Sequence, residues 1–341
     1  MEDAATKQQS RPVSLRSRFI GFVAVGEIGV IAALLLIAGF FYLLEPAFLS
    51  GRNTRAILNV VSFVGIIAVG QTILLISGEF DLSVGSVAGL SSVVAGTLMT
   101  SAALPVPVAI LGGVSVGAVL GLLNGLIVVR LGIPAFIQTL GMLFIGQGLI
   151  QVVTGGYPVY PLPPRVTEFG MTSLGFGLGW SFAFFLILSL VADLVLRRTV
   201  LGRNLYATGG NKEVARLVGI NTATYKIGAF IVVGALSGVA GMFVMADLGS
   251  ATTSIGSGWE LVVIAGVVVG GVSLFGGAGT VAGGVIGILL LKAVQSGLVV
   301  IGVSSNWQQI AVGVIMVLAV GLDILRRSYL ISGAGAGKAQ E

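Results

Sequence analysis

Two short polar segments interrupt apolar stretches of this chain, and they hold the residues best suited to polar chemistry. The first, SGEFDLSVGS (77–86), places the carboxylates of Glu79 and Asp81 among three hydroxyl groups. The second, SIGSGWEL (254–261), places hydroxyls, an aromatic ring and the carboxylate of Glu260 at the start of another apolar run. Ionisable groups at membrane depth are expensive and generally face a partner group or a water-filled cavity. We therefore expect both segments to line a polar pathway rather than to contact lipid.

A third group, PAFIQTLG (134–141), combines an aromatic ring with hydrogen-bonding side chains just after the boundary residue Arg130. This mixture is the one that a sugar site needs, although polar side chains in spans more commonly bond a neighbouring helix. Together the three segments predict a weak, water-lined passage near the central seam of a helical bundle. Its predicted residues are Asp81, Ser83, Phe136, Gln138, Thr139 and Glu260.

Several kinds of chemistry are excluded by composition. The chain has no histidine and no cysteine, which removes imidazole acid–base catalysis, thiol nucleophiles and thiolate or imidazole metal sites. It has no GxxxxGK[ST] loop for nucleotide phosphates. Its net charge of +5 is not a nucleic-acid signal, because the basic residues lie at membrane boundaries and not in an aromatic-studded patch. We expect no catalytic residue, metal or cofactor in this chain.

The class of protein follows from hydropathy. Charged residues are 9% and apolar residues 56% of the chain, and the mean hydropathy is +1.07, whereas about a quarter of the residues in a soluble domain are charged. A spanning helix needs about 20 mostly apolar residues. This predicts an all-α integral membrane protein with about ten spans, at 28–44, 57–77, 82–101, 107–129, 135–153, 180–196, 226–246, 260–274, 280–300 and 308–325.

Orientation follows from the bias of Lys and Arg towards one side of the membrane. That bias predicts a cytoplasmic tail (1–27), a transmembrane domain (28–325) with a cytoplasmic loop (197–226), and a second cytoplasmic tail (326–341). The Pro-rich segment 157–170 is then the largest outer loop. It is either a docking surface for an extracytoplasmic partner or a stiff connector.

A basic island, LGRNLYATGGNKEVARLVGI (201–220), interrupts the apolar chain on the predicted cytoplasmic side. Asn211 is suited to cap a short helix, Glu213 lies in its first turn near the positive end of the dipole, and Gly219 ends it. Its apolar residues Val214, Leu217 and Val218 share one side. We interpret the island as a docking helix for a cytoplasmic partner; the alternative is a solvated loop with local caps.

Glycine spacing favours closely packed helices. Gly117, Gly121 and Gly125 recur every fourth residue, as do Gly279, Gly283 and Gly287, and small residues at this spacing let helix backbones approach in lipid. The pattern indicates a compact bundle that packs against a second copy. The two polar breaks follow the second and seventh predicted spans, which run in opposite directions, as in an inverted repeat.

Four segments in order and spacing carry a family resemblance: SGEFDLSVGSVAGL, NGLIVVRLGIPAFIQTLGML, LGRNLYATGGNKEVARLVGI and WELVVIAGVVVGGVSLFGGAGTVAGGVIG. Over residues 45–327 the chain resembles the permease subunit of bacterial ABC importers for monosaccharides, the ribose, xylose and arabinose group, which is related to branched-chain amino acid permeases. The resemblance implies a dimeric inner-membrane bundle, homodimer or heterodimer, with a pathway between the copies. It also implies a periplasmic solute-binding protein and a cytoplasmic ATPase that binds ATP and Mg. The implied ATPase-coupling residues are Gly210, Asn211, Glu213, Ala215, Arg216 and Gly219.

The chain departs from the family pattern at three positions. Glu79-Phe80 replaces Gly-Ile, Val262 replaces a carboxylate, and Ser296 replaces an Asn. A pentose, a hexose, a polyol or another small polar solute all remain open. The rival prediction is an ion-coupled secondary transporter, which needs no partner but leaves the 201–220 island unexplained. Its coupling groups would be Glu79, Asp81, Glu260 and Lys292.

Overall fold

The regular structure of the chain is helical. The computed structural model describes residues 26–175 and 177–336, and in that part of the chain thirteen α-helices form, with isolated bridges as the only extended pairing. They are α1 (Gly26–Leu44), α2 (Gly51–Ile76), α3 (Val84–Thr100), α4 (Val106–Leu126), α5 (Ala135–Thr154), α6 (Pro164–Met171), α7 (Trp180–Arg198), α8 (Val200–Gly210), α9 (Lys212–Leu217), α10 (Thr222–Leu248), α11 (Trp259–Val269), α12 (Val281–Val300) and α13 (Ser305–Ala336).

Each predicted span coincides with an apolar helix. Seven of the described helices are long and apolar enough to cross a membrane, namely α1, α2, α4 with its π-helical extension to Leu131, α5, α7, α10 and α12. Shorter apolar helices are α3, α11 and the 306–321 part of α13. Two of these, α3 and α11, begin at the polar breaks, where the hydropathy pattern is interrupted. The all-α integral membrane fold is therefore confirmed.

The termini of the helical bundle differ from the predicted boundaries. The helix α1 begins at Gly26, so that Glu27 belongs to a helix and not to the predicted tail. Glu27 Oε1 accepts hydrogen bonds from Arg197 Nη2 at 2.9 Å and from Thr280 Oγ1 at 2.6 Å, which tie α1 to α7 and α12. At the other end α13 continues to Ala336, since the polar residues after 325 end the apolar run but include no proline to end the helix. The rest of the predicted tails, 1–25 and 337–341, lies outside the described residues.

The predicted 197–226 loop is largely helical. The helix α7 continues to Arg198, α8 and α9 follow, and α10 begins at Thr222. Thr199 caps α8 by accepting a hydrogen bond from the Gly202 amide. Lys226 lies inside α10 and is buried, whereas the prediction made it the last residue of the cytoplasmic loop 197–226.

Two sets of four helices pack in the same way. The helix α3 packs on α4, α5 and α10, and its counterpart α11 packs on α12, α13 and α2; likewise α4 packs on α10, and α12 on α2. The central pair α2 and α10 is antiparallel, because Glu79 contacts Lys226 while Gly70 lies against Val233. This is the packing expected of two repeats of opposite direction.

The regularly spaced glycines act within one chain. Gly117 and Gly121 of α4 lie directly against the Gly234 and Phe230 carbonyl groups of α10, and a Cβ at either position would collide with them. The α12 glycines pack in the same way against α11, except that Gly279 precedes the helix with φ +130°. Its assignment to the Gly283 face was wrong, because the helix begins at Val281. These faces therefore close the fold of one subunit and are not available to a second copy.

Candidate functional site

The two polar breaks, residues 77–83 and 249–258, converge inside the bundle. The first break starts beside Gly209, and the second starts at the opposite end, where Ala251 pairs with Val159. Just after the first break, Gly85 in the first turn of α3 lies against Gly256 of the second break, and a Cβ on either glycine would collide with the carbonyl group of the other. The helices α3 and α11 thus begin next to each other at the meeting point. Half-length helices whose N-termini meet in this way form the solute and ion sites of inverted-repeat transporters.

A buried hydrogen-bond network surrounds Asp81. Its Oδ1 accepts from the Ser83 backbone amide and from Ser83 Oγ, both at 2.6 Å, and its Oδ2 accepts from Asn124 Nδ2 at 3.1 Å. Asn124 Nδ2 also donates to Ser83 Oγ at 3.0 Å, and Asn124 Oδ1 accepts from Gln138 Nε2 at 3.1 Å. The amide donor lies at the N-terminus of α3, where negative charge is favoured. The network therefore fixes a carboxylate inside the bundle and links the first break to α4 and α5.

Glu260 joins this region from the second break. It lies in the first turn of α11 and is partly exposed. Its Oε2 is close enough to Gly85 that a Cβ there would lie 2.7 Å away. Two carboxylates, from opposite repeats, therefore lie beside the N-terminus of α3.

The remaining predicted pathway residues lie nearby but outside the network. The Phe136 ring is exposed in the first turn of α5. Thr139 is fully buried, and its hydroxyl donates to the Ala135 carbonyl of its own helix at 2.7 Å. Asn124 is the residue that sequence reasoning did not select, although it is the bridge between Asp81 and Gln138. The sequence feature that could have identified Asn124 is a single amide side chain in an otherwise apolar span.

Of the four groups of the ion-coupling alternative, Asp81 and Glu260 lie beside the N-terminus of α3, whereas Glu79 and Lys292 have other partners. Lys226 Nζ donates to Glu79 Oε1 at 2.6 Å, with both side chains largely buried. Lys292 Nζ donates to Gln295 Oε1 of its own helix at 2.9 Å. Glu79 and Lys292 thus have their own partners, away from the Asp81 network, and the structure gives no support to a shared coupling site.

The helix α9 forms as predicted. Asn211 Oδ1 caps it by accepting from the Glu213 and Val214 amides at 3.1 and 3.0 Å, and Gly219 leaves it with φ +85°. Ala215 is buried and Arg216 Nε donates to Thr222 Oγ1 at 3.2 Å, so this side of α9 is held against the bundle. The opposite side exposes three apolar side chains: Val214, Leu217 and Val218. Leu217 is 87% exposed.

Close backbone contacts join the segment before α9 to the first break and to the turn that follows α11. Gly209 lies directly against the Ile76 carbonyl, and the Gly277 amide donates to that same carbonyl at 2.9 Å. Gly276 lies between Gly78 and Gly209. We call this set the glycine contact; it comprises Gly78, Gly209, Gly210, Gly276 and Gly277. It places the end of α8 against the start of the first break and against the turn that follows α11.

Residues 53–320 match the family described as the permease component of branched-chain amino acid transport systems. The chain belongs to this permease family. It is a multi-pass membrane permease subunit and not an enzyme, and the matched region contains both breaks, the Asp81 network and α9. No solved structure matches the chain.

Full-length relatives of this permease carry names of sugar importers. It is 37% identical to the ribose import permease of Escherichia coli over 92% of this chain and 98% of the relative. It is 36% identical to the L-arabinose ABC transporter permease of Azospirillum brasilense over 89% of each chain. It is 35% identical to the galactose/methyl galactoside import permease of Haemophilus influenzae, over 86% of this chain and 92% of the relative.

Proposed function

We propose that this permease is the transmembrane subunit of an ATP-driven importer that carries a monosaccharide or a similar small polar solute across the bacterial inner membrane. The observation that carries the proposal is the glycine contact, which joins the α8–α9 segment directly to the first break and to the turn that follows α11. An ion-coupled transporter needs no cytoplasmic partner and would leave the exposed apolar side of α9 unexplained. The names of the ribose, arabinose and galactose permeases support the class of solute.

Three partners follow from this function. A cytoplasmic ATPase supplies the sites for ATP and Mg and docks on the exposed apolar side of α9, whose Leu217 contributes little to the packing of this chain. A periplasmic binding protein delivers the solute to the opposite end, where Tyr157 and Tyr160 are exposed. A second permease copy, identical or related, completes the pathway. Both termini are cytoplasmic in this arrangement.

The same contacts provide a mechanism for coupling. ATP binding closes the ATPase dimer and moves the two α9 helices together. Because Gly209 is in backbone contact with Ile76 and Gly276, the movement is passed to the first break and to the turn after α11. The bundle then changes between outward and inward access as a two-state rigid-body transition. The Asp81 network and Gln138 contact the solute only weakly, since the binding protein supplies selectivity.

The test is uptake by proteoliposomes that contain the chain with its partner ATPase and binding protein. Labelled ribose, L-arabinose and galactose are offered with and without ATP. Leu217→Gln is expected to reduce ATP-driven uptake and the stimulated ATPase activity at least about tenfold, because it places an amide in the apolar docking surface. Glu213→Ala with Arg216→Ala is expected to do the same.

The matched control is Val200→Gln, an equally simple change at an exposed position of α8. It should leave uptake unchanged. Uptake that follows an imposed proton or sodium gradient in the absence of ATP would contradict the proposal, as would normal uptake by Leu217→Gln.

A further inference from the structure

The helix α5 exposes two amide side chains whose contact with lipid would be energetically unfavourable. Gln147 and Gln151 lie one helical turn apart, both are exposed, and neither forms a hydrogen bond within the described residues. Gln147 lies seven residues before the end of α5 at Thr154, about 10 Å along the helix axis. Transfer of an unpaired amide into hydrocarbon costs about 4–8 kcal/mol on alkane scales. This face of α5 therefore meets water or another polar surface.

The second break forms the opposite wall of a cleft at this position. The amide cleft, as we name it, is lined by Gln147, Gln151 and Gly148 of α5 and by Ser254 and Ser257 of the break. The exposed ring of Phe144 forms one side. At Gly148 a Cβ would have no atom within 4 Å, so the space beside this residue is open. The cleft thus combines amides, hydroxyls and an aromatic face.

The chemistry of this lining selects a class of solute. No charged side chain is among the described residues that line the cleft. Amides and hydroxyls both donate and accept hydrogen bonds, as the hydroxyl groups of a sugar require, and an aromatic ring covers an apolar face. A zwitterionic amino acid would leave its ammonium and carboxylate groups without charged partners, which is unfavourable in a desolvated site. The lining fits a neutral polyhydroxylated ring.

The amide cleft is connected to the Asp81 network by a single residue. Ser86 lines the cleft, and its Oγ donates to the Ser83 carbonyl at 3.0 Å. Ser83 in turn bonds Asp81. Two hydrogen bonds therefore join the wall of the cleft to the Asp81 network.

We propose that the amide cleft is the outer subsite of the transport pathway, where a neutral monosaccharide is held by Gln147, Gln151 and the break hydroxyls before it reaches the Asp81 network. This inference rests on the proposed function. It adds a position, a set of residues and a preference for sugars over amino acids, none of which follows from membership of the permease family.

The first test fills the cleft. Gly148→Leu places a side chain in open space within a helix, so the fold should tolerate it. The matched control is Gly39→Leu, a helical glycine of α1 whose Cβ would also meet nothing within 4 Å. In proteoliposomes with both partners, Gly148→Leu should reduce uptake of whichever of ribose, L-arabinose or galactose the unaltered protein carries by about tenfold or more. Gly39→Leu should not. L-Leucine, offered as the zwitterionic comparison, should not be taken up.

The second test measures access of water without requiring transport. The chain has no native cysteine, so Gln147→Cys provides a single thiol. A membrane-impermeant methanethiosulfonate should label it from outside, whereas Leu190→Cys, exposed on α7, should remain unlabelled in lipid. The oligomeric state of the Gly148→Leu protein is measured in parallel.

Each of the following results would overturn either the outer subsite or the proposed function. An unreactive Gln147→Cys, or equal uptake by Gly148→Leu and Gly39→Leu, would overturn the subsite while leaving ATP-driven import intact. Loss of the dimer in Gly148→Leu would show that this face packs against a second copy, and would overturn it as well. Absence of ATP-driven sugar uptake by the unaltered protein would refute the proposed function itself.

Discussion

The ion pair between Glu79 and Lys226 provides the sharpest energetic prediction. Lys226 Nζ lies 2.6 Å from Glu79 Oε1, and the two side chains are 9% and 19% exposed, in that order. Breaking a fully buried pair costs about 3–5 kcal/mol, whereas exposed pairs contribute about 0–1 kcal/mol. Because part of Glu79 contacts solvent, and because glutamine still offers Lys226 an acceptor, we expect Glu79→Gln to destabilise the protein by about 2–3 kcal/mol.

Loss of this ion pair should first weaken the coupling between ATP hydrolysis and transport. Gly78 lies next to this pair, and a Cβ there would be 3.9 Å from Lys226 Nζ. An unpaired Lys226 will draw water towards the glycine contact and loosen it. We therefore expect Glu79→Gln to lower the ratio of solute carried to ATP hydrolysed by at least about threefold, which is measured in proteoliposomes together with the thermal unfolding midpoint.

Two further variants test whether the buried ion pair determines stability and coupling. The charge swap Glu79→Lys with Lys226→Glu restores an ion pair and should recover most of both quantities. Glu168→Gln removes an exposed carboxylate from the outer helix α6 and should change neither. If Glu79→Gln lowers stability and coupling no more than Glu168→Gln does, the pair is screened by solvent and the argument from burial is refuted.

Three further predictions use the same assays. Gly209→Ala forces a Cβ into the backbone at the end of α2 and should destabilise the protein by about 1–3 kcal/mol. Gly228→Ala, at a helical glycine of α10 whose Cβ would meet no atom within 4 Å, should be silent; equal effects would contradict the close contact. Gln138→Leu should slow uptake severalfold without changing which sugar is carried, and a changed preference among labelled sugars would assign Gln138 a selective role instead. Single cysteines in place of Tyr160 and Lys212 should be labelled by impermeant reagents from opposite sides of the membrane, and labelling from one side would refute the orientation.

Local patterns in the sequence were sufficient for much of this structure. The spans follow from hydropathy, which is a property of each segment alone. The cap at Asn211 and the end of α9 at Gly219 follow from side-chain and backbone preferences within a few residues. Likewise, the burial of the Asp81 side chain inside the bundle follows from the high energetic penalty of leaving it in lipid.

Contacts between distant residues account for what sequence reasoning missed. Lys226 was interpreted as a loop residue because its partner Glu79 lies 147 positions away. Asn124 was one of several polar groups in the spans, and nothing in its own segment indicates that it bridges Asp81 and Gln138. The glycine spacing predicted close approach of backbones correctly, but a spacing carries no information about which helix approaches. That partner is fixed only by the assembled bundle.

The crossing of Gly85 and Gly256 has a mechanical consequence. Backbone meets backbone there with no side chain between them, so there is no rotamer whose rearrangement absorbs a displacement. We therefore expect the crossing to act as a pivot shared by α3 and α11, which extend from it towards opposite ends of the bundle. A tilt that widens the space at one end narrows it at the other. On this expectation, alternation between an outward and an inward opening follows from one pivot, without a separate gate at each end.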